Sequence, residues 1–303
     1  MDFSPAAQAG LAAAMALGRR WGARLRLIHA DDSPASFYEE LRGAQGVRGE
    51  ADRARGLEER LAALAREFPG AEVRVACGEP LGALAAAAAE EGVDLVAMGT
   101  RARRGWRAWA GASAAESLAR GCAVPVLAVK APPAANWPSR ILAPVKFIEY
   151  AGRALAWAIE LADSAGASIT VLHVAEAGEP RPESLTAFRE HIERVLGPAR
   201  AARTRLIQGF GDPVTRIVDE ARRGLYDAVV LSAHERSPSP PWRVSTTAQK
   251  VLRLAPTPVF CVPAPESLAL RPAGAAALSL LQAGARPRPA GRMPPRWVGD
   301  KLY

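Results

Sequence analysis

The sequence predicts an α/β protein in which two similar domains follow each other along the chain, each with a doubly wound parallel sheet. Two observations support this prediction. Short apolar runs alternate with longer amphipathic runs through most of the 303 residues, which is typical of strands joined by helical crossovers. The same pattern begins again after a segment rich in Pro and Ala, 131–139, which has the composition of a linker between domains.

Constant spacings between matching residues indicate an internal duplication. In the first part of each copy one spacing relates Phe3 to Phe147, Gly22 to Gly166, and His29 to His173. In the later part a second, shorter spacing relates Gly78 to Gly211, Asp94 to Asp227, and Pro125 to Pro258. The change from the longer to the shorter spacing predicts one deletion in the second copy, between His173 and Gly211. The predicted domains are therefore 1–130 and 140–263, followed by a basic tail over 264–303 that we expect to be disordered.

Periodicity predicts the elements of each domain in order. In the first domain we expect helices over 5–21, 49–68 and 81–91 and from 113, and strands over 23–30, 72–76, 95–98 and 124–127. In the second we expect strands over 140–147, 168–174, 204–208, 228–231 and 256–259, and helices over 151–165, 183–196 and 214–223 and from 245.

The first domain lacks a counterpart of the strand 140–147, because that strand would lie before Met1. A parallel sheet without its middle strand would leave backbone groups unpaired at two inner edges. We therefore expect one of three outcomes: further residues upstream of Met1, direct pairing of the strands on either side of the gap, or a loosely folded first domain. We favour the first, since Asp2-Phe3-Ser4-Pro5 keeps the junction between strand and helix.

Two equivalent stretches, 94–130 and 227–262, end the two domains and contain the predicted site. Each begins with an Asp and a buried strand, continues as a loop, and reaches a helix that starts at Ser113 or at Ser245-Thr246. A hydroxyl oxygen at the first position of a helix accepts a hydrogen bond from an otherwise unpaired backbone N–H. A loop between a strand end and a helix N-terminus is a natural anion site.

The first stretch resembles the C-terminal half of a universal stress protein domain. Nucleotide-binding members of that family have Gly-x2-Gly-x9-Gly-Ser/Thr in this loop. The corresponding residues are Gly99, Ala102 and Ala112-Ser113 in the first copy, and Ser232, Glu235 and Ser245-Thr246 in the second. The resemblance implies two tandem Rossmann-like domains, of the adenine nucleotide alpha hydrolase-like type. Each would have a parallel five-stranded sheet in the order 3-2-1-4-5, with the first strand of the first domain missing.

The resemblance also implies where ATP would bind in the first domain. Asp2 matches an acid at the end of the first strand, and Ala30 matches a position that lines the adenine pocket. The loop would contribute five residues, Gly99, Thr100, Ala102, Ala112 and Ser113. Glycines let backbone N–H groups approach a phosphate, so the two alanines weaken this cradle. The neighbouring Arg101, Arg103, Arg104 and Arg107 could attract phosphate, or they could simply form a solvated basic loop.

The second domain is predicted to be a non-binding copy. Glu235 brings negative charge into its loop, Lys146 replaces the acid at the strand end, and Pro238, Pro240 and Pro241 remove backbone donors. No cofactor is therefore expected there. The pairing that the resemblance implies, 126–129 against 259–262, would make the two domains an intramolecular pseudo-dimer, and a homodimer of the chain is also possible.

Composition and motifs restrict the function. The net charge of +8 is divided between the tail and the rest of the chain, which does not favour specific nucleic-acid binding, and no apolar run is long enough to cross a bilayer. The scattered Cys and His residues predict no metal site, and the P-loop, GxSxG and GxGxxG motifs are missing from the sequence. We expect a cytoplasmic, non-catalytic stress-response protein that acts by adenine-nucleotide sensing or protein interaction. The alternatives are a slow ATPase, a nucleotide-transferring enzyme of the same fold, or a scaffold without a ligand.

Overall fold

The computed structural model describes residues 3–31, 44–77, 79–90, 92–100, 113–146, 151–175, 185–223, 225–233 and 246–263. The first half contains α1 (Pro5–Trp21), β1 (Arg26–Asp31), α2 (Ala44–Ala65), β2 (Glu72–Cys77), α3 (Pro80–Ala88), β3 (Val96–Gly99), α4 (Ala114–Gly121) and β4 (Val126–Val129). The second half contains β5 (Arg140–Val145), α5 (Ala151–Ala165), β6 (Ser168–Ala175), α6 (Leu185–Leu196), α7 (Pro198–Ala202), β7 (Arg205–Phe210), α8 (Pro213–Arg222), β8 (Ala228–Ala233), α9 (Thr246–Leu254) and β9 (Val259–Pro263). The predicted tail lies outside the described residues.

The strands of the second half form a continuous parallel sheet in the order β7-β6-β5-β8-β9. Counted within that half, the order is 3-2-1-4-5. The central strand β5 pairs with β6 along its whole length, from Arg140 to Val145, but with β8 only at Ile141 and Leu142. The strands β5 and β8 therefore separate toward their C-terminal ends. This is the point where the strand order reverses, and such points form ligand crevices in doubly wound sheets.

The two halves are joined by antiparallel pairing of β4 with β9. Val126 faces Cys261, Leu127 faces Phe260, and Ala128 faces Val259. Leu127 and Phe260 are equivalent positions of the two copies, related by the same spacing as Pro125 and Pro258, and they face each other. The register is therefore that of an isologous interface, with a pseudo-twofold axis between these two residues. The pairing extends the sheet to seven strands, in the order β3-β4-β9-β8-β5-β6-β7.

The strands of the first half are divided between two sheets. β3 belongs to the seven-stranded sheet, whereas β1 and β2 form a separate parallel pair, from Arg26 opposite Glu72 to Asp31 opposite Cys77. No strand of the described residues lies between β1 and β3, and the two do not pair with each other. Direct pairing of the strands across the gap, one of the three expected outcomes, is therefore not what the described residues show.

Helix α1 bridges the two sheets of the first half. It starts at Ser4, whose Oγ accepts a hydrogen bond of 3.2 Å from the N–H of Ala7, with Pro5 at the first helical position. It ends at Gly22, whose φ of 59° is the left-handed conformation that favours glycine at this position. Its buried residues pack in the main core, and Leu11 packs against the small core around Leu27 and Leu61.

The helices cover both faces of the seven-stranded sheet. One face carries α1, α5 and α6, whose apolar residues form a core with Leu127, Ile141 and Phe260. The other carries α3, α4, α8 and α9. Trp21 links α1 to α5, since its Nε1 donates to Ser164 Oγ at 2.9 Å. None of the helices within the described ranges combines the length and the apolar character that a membrane span requires.

The linker 131–139 is anchored to the second half. The ring of Trp137 is buried and stacks on Phe260 with a centroid distance of 5.8 Å and an interplanar angle of 6°. Its Nε1 donates to the carbonyl oxygen of Asp227 at 2.7 Å. The Asp227 carboxylate accepts hydrogen bonds from the hydroxyl and the backbone N–H of Ser139. The end of the linker is therefore fixed at the start of β5.

Candidate functional site

The candidate site lies at the C-terminal edge of the first-half strands. Gly99 is the last residue of β3, and the N–H of Thr100 extends the pairing with β4 by donating to Val129 O at 2.7 Å. Ala30 lies near the C-terminal end of β1, opposite Ala76 of β2. Ser113 precedes α4. Gly99, Thr100 and Ser113 therefore lie at the two ends of the connection between β3 and α4, whereas Ala30 belongs to a different sheet. Asp2, Ala102, Ala112 and the loop arginines 101–107 lie outside the described residues.

The side of Gly99 that lacks a Cβ is in contact with helix α1. A Cβ built on Gly99 would lie 1.8 Å from the carbonyl oxygen of Ala6, and one built on Gly10 would lie 2.5 Å from the N of Gly99. Side chains at either position would therefore overlap with backbone atoms. The two glycines let α1 pack directly on the backbone of β3. Packing thus explains Gly99, because α1 lies on the side of this residue where a Cβ would be.

The start of α1 lies between the C-terminal ends of β1 and β3. Phe3 contacts His29 of β1 with a ring-centroid distance of 5.6 Å, while Ala6 contacts Gly99 of β3. The guanidinium carbon of Arg60 lies 3.9 Å from the Phe3 ring centroid, a cation–π contact from α2. Phe3 has a φ of 54°, which is uncommon for a bulky residue. The contacts from β1 and α2 hold it in this conformation.

The N-terminus of α4 is the part of this edge that best suits an anion. Ser113 Oγ accepts a 3.2 Å hydrogen bond from the N–H of Glu116. The N–H groups of Ala114 and Ala115 belong to the first turn, so no helical carbonyl precedes them as an acceptor. These groups and the helix dipole together favour negative charge at this end. The described part of the site therefore resembles a helix-start anion site more than a glycine cradle.

A buried ion pair connects α4 to the second half. Glu116 is 2% exposed, and its carboxylate accepts hydrogen bonds from Arg253 of α9: Nε to Oε1 at 3.1 Å and Nη2 to Oε2 at 2.7 Å. Lys130, directly after β4, donates from Nζ to the carbonyl oxygens of Arg253, at 2.8 Å, and Ala255. Burial and, to a smaller extent, the positive charge of Arg222 lower the pKa of Lys130 to about 8, against the opposing effect of the Glu116 carboxylate. The start of α4 and the end of α9 are thereby joined.

Sequence reasoning missed several residues of this region. Ala6 and Gly10 were assigned only to a helix, and Glu116 and Arg253 only to amphipathic runs. The ion pair leaves one signal in the sequence, a carboxylate that follows a Ser cap in the first turn of a helix beside the pairing strands. The partner, Arg253, comes close because β4 and β9 pair in an antiparallel register, and the sequence alone does not fix that register.

The corresponding edge of the second half has different chemistry. Lys146 follows β5, at the position equivalent to Asp2, and Ser232 replaces Gly99 near the end of β8. The hydroxyl oxygen of Ser232 is buried without a hydrogen-bond partner in the described part of the chain. Glu235 and Ser245 lie outside the described residues. Metal ligands are not clustered either: within the described ranges, no group of three or more His, Cys, Asp or Glu side chains could hold an ion.

The fold defines a class of protein: a tandem pair of α/β units, joined through antiparallel strands. A sequence model of the Universal stress protein family matches residues 1–130 and 138–263. The two matches cover most of the chain, and the protein therefore belongs to the universal stress protein family.

Solved structures show the same fold at low sequence identity. A universal stress protein from Archaeoglobus fulgidus DSM 4304 is 20% identical, with a TM-score of 0.64, over 87% of this chain and 94% of that chain. A functionally unknown protein from Pseudomonas aeruginosa PAO1 is 16% identical, with a TM-score of 0.56, over 86% of this chain and 89% of that chain. Comparison with curated proteins gives no match. Both structural neighbours are matched along nearly their whole length, so the likeness includes the tandem arrangement.

Proposed function

We propose that this universal stress protein is a non-catalytic sensor of adenine nucleotide and that its first half binds one ATP. The observation that supports this proposal is the position of the α4 N-terminus, with its Ser113 cap, at the C-terminal edge of the sheet that ends in Gly99 and Thr100. The first-turn N–H groups, which no carbonyl of the helix itself accepts, and the positive helix end both suit a phosphate. Membership of the family makes a nucleotide the first ligand to test.

The residues that would bind ATP lie in two places, at the start of α4 and on β1. ATP supplies a polyanionic triphosphate, which the N–H groups of Ala114 and Ala115 and the hydroxyl of Ser113 would hold and orient. Ala30, on the separate pair β1–β2, would line the side of the adenine. Gly99 takes no part in phosphate binding in this account, because α1 covers it. The second half, with Lys146 and Ser232 at the equivalent positions, is proposed not to bind.

Thermal unfolding with and without ATP and Mg2+ tests the proposal, because a ligand that binds only the native state stabilises it. At a free ligand concentration of a hundred times Kd, the stabilisation is about 2.7 kcal/mol. We expect ATP to raise the melting temperature of the wild-type chain. Absence of a shift would favour a scaffold without a ligand, and sustained release of phosphate would favour a slow ATPase; either result would contradict the proposal.

A matched pair of variants locates the site. Ala114→Pro removes one N–H from the first helical position of α4, where proline is tolerated, as Pro5, Pro80 and Pro213 show in α1, α3 and α8. Thr246→Pro makes the same change at the first position of α9 in the second half. We expect Ala114→Pro to lose most of the ATP-dependent shift and Thr246→Pro to retain it. The reverse pattern would assign the nucleotide to the second half.

A further inference from the structure

We propose that Arg253, a residue of the second half, is a positioning residue for the anion site of the first half. It neutralises and orients the Glu116 carboxylate, which would otherwise place an unpaired negative charge in the first turn of α4. The inference rests on the proposed function for its effect on ATP. The role of Arg253 also predicts a property of α4 in the absence of ligand. The inference and the proposed function can therefore fail independently.

Glu116 lies in the first turn of α4, the turn whose N–H groups would bind an anion. Glu116 is the third residue of α4, and its backbone N–H is the group that Ser113 caps. A carboxylate there suits the helix dipole but competes with an incoming phosphate for the same positive end. The side chain is 2% exposed, so water screens its charge poorly.

Arg253 removes this competition by pairing with the carboxylate in a fork. Two hydrogen bonds, of 3.1 and 2.7 Å, join the guanidinium to both oxygens, the geometry that gives Arg–carboxylate pairs their strength and direction. The side chain of Arg253 is 23% exposed, so much of the pair is shielded from solvent. With Glu116 neutralised, the N–H groups of Ala114 and Ala115 remain available to a phosphate.

The first half holds the backbone of Arg253 in place. Its carbonyl oxygen accepts a hydrogen bond from Lys130 Nζ at 2.8 Å, and Lys130 follows β4 of the first half. Arg253 also lies in the last turn of α9, where a positive charge suits the helix dipole. The contact therefore runs from the end of one helix to the start of another, across the seam between the two halves.

The second copy lacks the acidic partner of this arrangement. The spacing that relates Pro125 to Pro258 also relates Glu116 to Gln249, which is neutral. The start of α9 therefore contains no carboxylate at this position that an arginine would need to neutralise. This difference agrees with a role of the Glu116–Arg253 pair in the first half alone.

The experiment compares four variants with the wild-type chain. Arg253→Met leaves Glu116 unpaired, Glu116→Gln removes the charge, and the double variant removes both. Arg223→Met is the matched control, because Arg223 donates to the buried Glu220 at 2.8 Å, and both residues belong to the second half. The readouts are the Kd for ATP with Mg2+ and the amide exchange of residues 114–118 without ligand.

We expect Arg253→Met to weaken ATP binding by at least about tenfold, as is usual when one partner of a buried charge pair is removed. Adding Glu116→Gln to Arg253→Met should return the Kd to about threefold of the wild-type value or better, because the uncompensated charge is then gone. Arg223→Met should destabilise the chain without changing the Kd. Without ligand, exchange in 114–118 should accelerate in Arg253→Met and not in Arg223→Met.

Two results would overturn the inference. One is equal exchange of 114–118 in Arg253→Met and Arg223→Met, which would show that Arg253 does not position α4 whether or not ATP binds. The other is ATP binding by the wild type with an unchanged Kd in Arg253→Met. A wild-type chain that binds no ATP would contradict the proposed function instead, and the exchange comparison would still decide the role of Arg253.

Discussion

At the scale of single residues, the structure assigns Gly99 a role that the loop motif does not suggest. The sequence places Gly99 at a phosphate-binding position of the family, whereas the structure places the carbonyl oxygen of Ala6 against it. The residue at the equivalent position of the second half, Ser232, has a side chain. The glycine is therefore required by the close approach of α1 to β3, a feature of the first half.

A stability measurement tests this role. Gly99→Ala should lower the free energy of unfolding by about 2 kcal/mol or more, since the methyl would overlap with the backbone of α1. Gly56→Ala, in α2, is the control, because no atom lies within 4 Å of its Cβ position. It should raise the free energy of unfolding by about 0.5–1 kcal/mol through helix propensity. Denaturant unfolding measures both, and equal effects of the two changes would refute the packing role.

Lys130 provides a second prediction at this scale. Burial lowers its pKa from 10.5 to about 8, so between these values the unfolded chain binds more protons at this residue than the folded chain. The stability contributed by Lys130 should therefore rise with pH through this window. The quantity to measure is the difference in free energy of unfolding between the wild type and Lys130→Met, from about pH 7 to about pH 9.5. If this difference fell as the pH rose, the two carbonyl acceptors would stabilise the charged amine by more than burial destabilises it.

At the scale of elements, the alternation of strands and helices could be predicted from sequence, and the arrangement of the first half could not. Hydrophobic period and turn residues fix α1, β6 and α8 closely, because these signals are local. The position of α1 depends on the close approach of Gly10 and Gly99, which are far apart in sequence. The separation of β1–β2 from β3 likewise depends on a strand position that the described residues leave empty.

The separate pair β1–β2 should be the less stable part of the fold. Among the described strands β1 pairs with β2, and the core of this two-stranded sheet contains few buried residues, among them Leu27 and Leu61. The equivalent strand β6 is paired on both sides, with β5 and β7. Amide exchange should therefore be faster in β1 than in β6, because a two-stranded sheet over a small core opens at lower cost than the middle of a seven-stranded sheet. Equal protection of 26–31 and 168–175 would show that the first half is closed by contacts other than these.

At the scale of the whole molecule, the register of β4 and β9 makes the chain a pseudo-symmetric pair of halves. The equivalent residues Leu127 and Phe260 face each other, which is the pattern of an isologous dimer within one chain. We propose that this interface serves as an intramolecular pseudo-dimer. The duplication was predictable from the two constant spacings, but the contact of Glu116 with Arg253 was not, because it depends on how the helices cross the seam.

The symmetry of the fold contrasts with the asymmetry of the sites. The first half presents the start of α4 with a neutralised Glu116, whereas the second presents Lys146 and Ser232 at its own edge. We propose that only the first half binds nucleotide. The number of ATP molecules bound per chain tests it directly, by isothermal titration of the wild-type protein with ATP and Mg2+. We expect one molecule per chain, lost in Ala114→Pro and kept in Thr246→Pro; two molecules per chain, or none, would contradict this proposal.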